Sequence, residues 1–114
     1  MSRNYEMSIT IGDVPANFCN DAMEAADGEW DFENWHSHNQ EQDHLVCLYG
    51  NGQGNLYGGE GEADFSHRVK NAIWRRLGFF VHIEVGATYL EAAPFESYVF
   101  EKKDYDEWKM QKNF

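Results

Sequence analysis

Alternation of apolar and polar residues near the N-terminus predicts the first strand. The apolar positions are Tyr5, Met7, Ile9 and Ile11, with polar residues between them, as in a strand with one buried face. Asp13 can then cap a helix whose first turn contains Pro15, and Gly28 is a suitable end for that helix. One face of this helix has helical spacing and is apolar: Phe18, Ala22, Ala25 and Ala26.

The middle of the chain predicts a hairpin and a second helix. Residues 44–49 read as a buried strand, and six glycines among residues 50–61 predict a loose hairpin with a short strand near residues 55–57. The second helix has an apolar stripe at a spacing of four residues, between a possible cap at Asp64 and a stop at Gly78. Its stripe is Phe65, Val69, Ile73 and Leu77, and its expected exposed face is Arg68, Lys70, Arg75 and Arg76.

The last third predicts more strands and a terminal helix. Residues 79–85 alternate cleanly, strand-like sequence follows at residues 88–90 and 97–101, and residues 104–112 can form a short helix. The predicted order is βαββαβ with an extra C-terminal strand and a short helix. We therefore expect one α+β domain over residues 1–114, a ferredoxin-like split βαβ sandwich with a mostly antiparallel sheet. An α+β sheet of another strand order is the alternative.

Composition predicts a folded protein of the cytoplasm. Hydrophobic residues make up 42% of the 114 residues and aromatic residues 16%, enough for a core. No apolar run approaches the roughly 20 residues that span a bilayer, and the N-terminus does not resemble a signal peptide. We therefore expect no membrane association, and we expect Cys19 and Cys47 to be reduced thiols.

Charge is distributed very unevenly along the chain. The net charge is −11, from 20 acidic and nine basic residues, and residues 1–64 hold 13 of the acids but only one base, Arg3. A field of this kind repels nucleic acid and anionic lipid and attracts basic protein surfaces. Direct DNA or RNA binding needs a basic footprint instead, so we expect a protein partner.

No residue pattern predicts catalysis. Gly50, Gly52 and Gly54 lack the third glycine of a dinucleotide fingerprint and the lysine of a P-loop. His36, His38 and His44, with Glu41 and Asp43 nearby, are candidate metal ligands, but they lack a familiar zinc spacing. A metal- or small-ligand-binding enzyme built on these histidines is therefore an alternative. We expect a non-enzymatic protein without a cofactor.

Residues 27–35 alternate acids with large aromatics and are the preferred binding segment. On an extended backbone, residues two apart are separated by about 6.6 Å, so Glu29, Asp31 and Glu33 would imitate successive phosphates. The preceding helix would continue this negative line through Asp21, Glu24 and Asp27. We expect Trp30, Phe32 and Trp35 to anchor a partner, because buried aromatics dominate binding hot spots. The alternative is that Trp30 and Phe32 plug one end of the core.

In size, acidity and lack of a catalytic motif the chain resembles two groups of inhibitors. One contains the phage proteins that block bacterial defence, such as anti-CRISPR and anti-restriction proteins. The other contains immunity proteins and antitoxins that block basic nuclease toxins. The resemblance implies a nucleic-acid mimic, monomeric or homodimeric, that occupies the basic groove of a CRISPR effector, restriction enzyme or nuclease. It rests on the overall character of the chain and assigns no individual residue.

Overall fold

The computed structural model describes residues 3–39, 44–56, 59–90 and 95–112, with only the backbone of residues 3 and 112. Five strands and three helices lie in these ranges, and a single 3-10 turn (Ala16–Phe18) precedes the first helix. The elements are β1 (Arg3–Pro15), α1 (Cys19–Asp27), β2 (Glu33–Asn39), β3 (Leu45–Leu56), α2 (Glu62–Leu77), β4 (His82–Tyr89), β5 (Phe95–Phe100) and α3 (Lys102–Lys112).

The strands form one antiparallel sheet in the order β2-β3-β1-β4-β5. The first four strands and the first two helices follow one another as βαββαβ. The expected α+β fold of ferredoxin-like type is therefore confirmed, together with the additional strand and the terminal helix. The order differs from that of a four-stranded sheet because β5 pairs with β4 and becomes the new edge.

The prediction of which residues form the second and third strands was wrong. Residues 33–39 form β2, whereas they were assigned to no element, and residues 45–56 form one continuous β3 instead of two strands joined by a glycine hairpin. The glycines do not break β3 because they alternate with polar residues and pair in register with β1, as Gly52 does with Met7. Tyr57, within the predicted short strand, lies outside the described residues.

Asp13 does not cap a helix. Its backbone has a φ of 61°, and it lies within β1 at an irregularity between Ile11 and Val14, where the pairing with β3 shifts. The bulge lets β1 continue to Pro15 before the chain turns into the helices. The predicted end of α1 at Gly28 is confirmed.

The helices cover one face of the sheet and leave the other face open. Tyr5, Met7, Ile9 and Ile11 are buried on the helix side of β1, and the predicted stripe of α2 is buried in the same hydrophobic core. Lys70 was expected on the exposed face of α2 but is only 8% exposed, because its chain lies between the Trp74 and Phe100 rings. None of the helices in the described ranges has the length and apolarity required to cross a membrane.

Candidate functional site

The acidic and aromatic segment that links α1 to β2 lies on the helix side of β3, over three glycines. Gly50, Gly52 and Gly54 occupy alternate positions there, opposite the buried residues of β1. A Cβ atom would lie 2.9 Å from the Trp35 ring at Gly50, 2.2 Å from the Asp31 carbonyl oxygen at Gly52 and 2.7 Å from the Trp30 ring at Gly54. Because these three glycines have no side chains, the segment can pack directly on β3.

Trp30 and Phe32 belong to the core, so the prediction that they present contact area to a partner is corrected. They are 8% and 5% exposed. The Trp30 Nε1 atom donates a hydrogen bond of 3.0 Å to the Gly52 carbonyl, and its ring packs edge-on against Phe65 at 4.9 Å. Because the glycines have no side chains, Trp30 and Phe32 can pack closely on β3, and their rings are buried instead of facing solvent.

Two arginines of α2 compensate three of the predicted phosphate-mimicking acids. Arg76 forms ion pairs with Asp21 at 2.9 Å and Glu24 at 2.7 Å. Arg68 pairs with Glu29 at 3.0 Å and with Glu60 at 2.9 Å. Hydrogen bonds from the guanidinium, first to Glu60 and then to Glu29, raise the pKa of Arg68.

The continuous acidic line expected from the sequence is therefore interrupted. Residues 28–30 turn away from α1 and are not extended, so the two-residue phosphate spacing does not run through Glu29 and Asp31. Exposed ion pairs contribute little to stability, but they place a positive charge beside each of these carboxylates.

Asp27, Asp31 and Glu33 remain exposed and make no ion pair within the described part of the chain. We call these three residues the acidic group. Asp27 accepts a hydrogen bond of 3.3 Å from Nε1 of Trp35, which is half-buried. Partial burial and then the charge of Asp31 raise the pKa of Asp27, although the hydrogen bond from Trp35 opposes the shift.

The sheet face opposite the helices, called the open face, extends this negative surface. Glu33 pairs with Asn51 at one edge, Glu6 lies on β1 and Glu84 on β4. Large exposed side chains lie on the same face: Tyr49 (42% exposed), Phe95 (63%) and Val99 (44%). The described lysine and arginine side chains all lie on α2 and α3, so none of them is on the open face.

The candidate histidines do not form a metal centre among the described residues. His36 and His38 occupy alternate positions of β2 on the open face, opposite Tyr49 and Cys47. His44 stands just before β3 with a φ of 61°. No group of three His, Cys, Asp or Glu residues in the described ranges is arranged to hold a metal ion. The neighbouring Glu41 and Asp43 lie outside those ranges.

A groove that the sequence did not predict lies between α1 and β2. Its volume is about 410 Å³, and its walls come from three elements. The main lining residues are Cys19, Asn20, Met23, Trp35, Ser37 and Leu48. Periodicity cannot predict this groove, because no local pattern indicates that α1 packs mainly on α2, β1 and β3 and makes less contact with β2.

A second missed feature is a small cavity where α3 meets α2. It has a volume of about 200 Å³, and its lining includes His67, Lys70, Phe100 and Trp108. The Lys70 ammonium lies 3.1 Å from Nδ1 of His67. Burial lowers the pKa of Lys70, and burial followed by the Lys70 charge lowers that of His67.

Comparisons of the chain with protein-family models, with curated proteins and with solved structures gave no match.

Proposed function

We propose that this protein is a small non-enzymatic inhibitor that occupies the basic nucleic-acid-binding surface of another protein. The target is of the kind that phage counter-defence proteins block in the cytoplasm, a CRISPR effector or a restriction enzyme. A basic nuclease toxin, blocked by an immunity protein or antitoxin, is the alternative target. The inhibitor itself is a monomer or a homodimer.

The observation that carries this proposal is the separation of charge within the fold. All described cationic side chains lie on α2 and α3, while the open face and the acidic group carry carboxylates without a described cation beside them. Such a field speeds encounter with a positively charged cleft and disfavours direct contact with nucleic acid.

The contact surface differs from the one that the sequence suggested. Asp27, Asp31 and Glu33 replace the longer acidic line, and exposed Tyr49 and Phe95 replace Trp30 and Phe32 as anchors. Glu33 and Glu6 lie two strand spacings apart, about 10 Å across the sheet. Carboxylates at such intervals can meet separate arginine or lysine side chains of a groove in charge-assisted hydrogen bonds.

The test is a panel of purified CRISPR effectors, restriction enzymes and nuclease toxins, each with and without its nucleic acid. We expect at least one member to bind the protein, to release it when nucleic acid is added, and to associate more slowly as salt rises, because steering is screened beyond about 10 Å at 0.1 M salt. Binding to no member, or binding that ignores both nucleic acid and salt, would contradict the proposal. The member that binds separates counter-defence from immunity.

Matched charge variants test the assigned surface. The first variant carries Asp27→Asn, Asp31→Asn and Glu33→Gln, and we expect about tenfold weaker binding, since several exposed pairs of up to about 1 kcal/mol are lost. The control removes the same charge from the region of α3, with Glu101→Gln, Asp106→Asn and Glu107→Gln. Equal losses in both variants would mean that net charge matters and this surface does not.

A further inference from the structure

The outer edge of β2 is an unpaired strand edge. In the described part of the chain β2 pairs only with β3, and six of its seven residues are exposed. Alternate residues of an edge strand direct their backbone N–H and C=O groups away from the sheet. These groups are a template for another strand.

Sequence features that usually protect an edge are scarce in β2. Its residues are ENWHSHN, with no lysine and no proline, although both commonly discourage pairing at edges. The single irregularity is near its start, between Glu33 and His36. From His36 to Asn39 the pairing with β3 is regular, so this part of the edge is open to a partner strand.

The groove between α1 and β2 lies beside this edge, on the helix side. Trp35 and Ser37 of β2 form one wall, and Cys19, Asn20 and Met23 of α1 form the other. A strand added to β2 would direct every second side chain toward the helix side, above this groove. Its volume of about 410 Å³ lies within the range of specific ligand pockets.

Charge indicates which kind of chain fits. Asp27 accepts a hydrogen bond from Trp35, which lines the groove. Asp31 is close enough to Asp27 to raise its pKa, and Glu33 is the first residue of β2. A second copy of this chain would bring the same carboxylates and another net charge of −11 to the edge. A basic strand meets them with opposite charge.

We propose that β2 receives an extended basic segment of the partner by strand addition, with apolar side chains of that segment in the groove and its lysines or arginines on the opposite side, toward Glu33 and the open face. This is β-augmentation, in which backbone hydrogen bonds provide affinity and pockets for alternate side chains provide specificity. The inference rests on the proposed function for the charge of the partner. It adds the site and the conformation in which the partner binds.

The probe is a ten-residue peptide of alternating valine and lysine, titrated into the ¹⁵N-labelled protein. We expect amide shifts along residues 33–39 and along Cys19–Met23. The matching valine–glutamate peptide should not bind. Two further valine–lysine peptides carry N-methyl groups on alternate residues, each on the residues whose N–H groups point to one edge of the peptide strand. Only the peptide whose methylated edge faces β2 should lose binding.

Groove variants make the test specific to this site. Asn20→Trp, at the exposed rim, should weaken the valine–lysine peptide at least tenfold, whereas Asn17→Trp, outside the groove, should not. Ser37→Trp fills the same groove from β2 and replaces Asn20→Trp if that variant perturbs α1. No binding of the valine–lysine peptide, shifts confined to the open face, or equal binding by the groove variants would overturn the inference. A dimer through β2 in light scattering would assign the edge to a second copy and would overturn it as well.

Failure of this inference is distinguishable from failure of the proposed function. A panel protein that binds Asn20→Trp as tightly as the unmodified chain would remove strand addition and leave the inhibitor function standing. Peptide binding at β2, with no protein of the panel binding the chain, would remove the inhibitor function and leave strand addition standing.

Discussion

Gly50, Gly52 and Gly54 position the candidate surface through the side chains that they lack. The tightest approach is at Gly52, against the backbone of Asp31. A side chain at any of the three positions would push residues 30–35 away from the sheet, and the acidic group and the wall of the groove would move with them.

We expect Gly52→Ala to destabilise the protein by about 1–3 kcal/mol, the usual cost of overpacking a filled site. The added Cβ would lie 2.2 Å from a backbone oxygen that has no free rotation to avoid it. Urea denaturation measures the change in the free energy of unfolding. Gly59→Ala is the control, since nothing lies within 4 Å of its Cβ position, and it should leave stability unchanged or slightly higher. Equal effects of the two substitutions would contradict this account.

The sequence around Trp30 and Phe32 does not decide whether their rings are buried or exposed. Large aromatics between acids are compatible both with an exposed hot spot and with a plug of the core. Only the contacts of Trp30 with Gly52 and Phe65, which are 22 and 35 residues away in sequence, decide between these interpretations.

At the level of elements, α2 has a different role toward each neighbour. Its apolar stripe faces the sheet as its spacing predicts. Arg68 and Arg76 face the loop after α1 and α1 itself, where they compensate acids. At its other side Lys70 and His67 join α2 to β5 and α3, with the His67 ring 5.2 Å from that of Phe100.

The junction between α2 and α3 predicts a pH dependence of stability. The pKa of His67 is lowered in the folded state by burial and then by the charge of Lys70, while Asp64 and Asp104 act in the opposite direction. An unfolded chain then binds the proton more readily than the folded protein. This contribution to stability is therefore present above the unfolded pKa of about 6.5 and is lost as the pH falls below it.

His67→Gln should remove this part of the pH dependence, because glutamine keeps a hydrogen-bond acceptor for Lys70 but does not titrate. Urea midpoints measured between pH 7.5 and pH 5 should fall more steeply for the unmodified chain than for the variant. Parallel curves, or an unmodified chain that gains stability relative to the variant as the pH falls, would contradict the lowered pKa.

The whole molecule is a sheet whose helical side carries all the described lysine and arginine side chains and whose open face carries none of them. Helix packing, with cations on α2 and α3, produces this arrangement, and it turns a net charge of −11 into a directional field. It also leaves many like charges in one compact body, where their repulsion opposes folding.

Screening of that repulsion should raise the melting temperature as sodium chloride increases from 10 to 200 mM, because the Debye length falls from about 30 Å to below 10 Å. The Asp27→Asn, Asp31→Asn and Glu33→Gln variant should show a shallower rise, since three negative charges are gone. Calorimetry at each salt concentration measures both slopes. A melting temperature that falls with salt would mean that the ion pairs of Arg68 and Arg76 outweigh the repulsion.

The sequence by itself determined the α+β class, the apolar face of α2, the strand from Tyr5 to Ile11 and the excess of acid in residues 1–64. These features follow from local periodicity and composition, and neither needs a distant contact. The identity of β2 did not follow, since exposed residues at an edge carry no apolar alternation. Glycines that break most strands are tolerated in β3 because residues 30–35 pack on them.

Tertiary structure alone decided which acids are free and which aromatics are exposed. In sequence, nothing separates Asp21, Glu24 and Glu29 from the exposed acids Asp31 and Glu33. In the fold, arginines of α2 pair with Asp21, Glu24 and Glu29. No described arginine or lysine pairs with Asp31 or Glu33. Such pairings join residues 39 to 55 positions apart. The physical reason is that compensation of charge and burial of rings depend on distances in space, which the fold sets through packing of α2 on α1 and of the loop on β3.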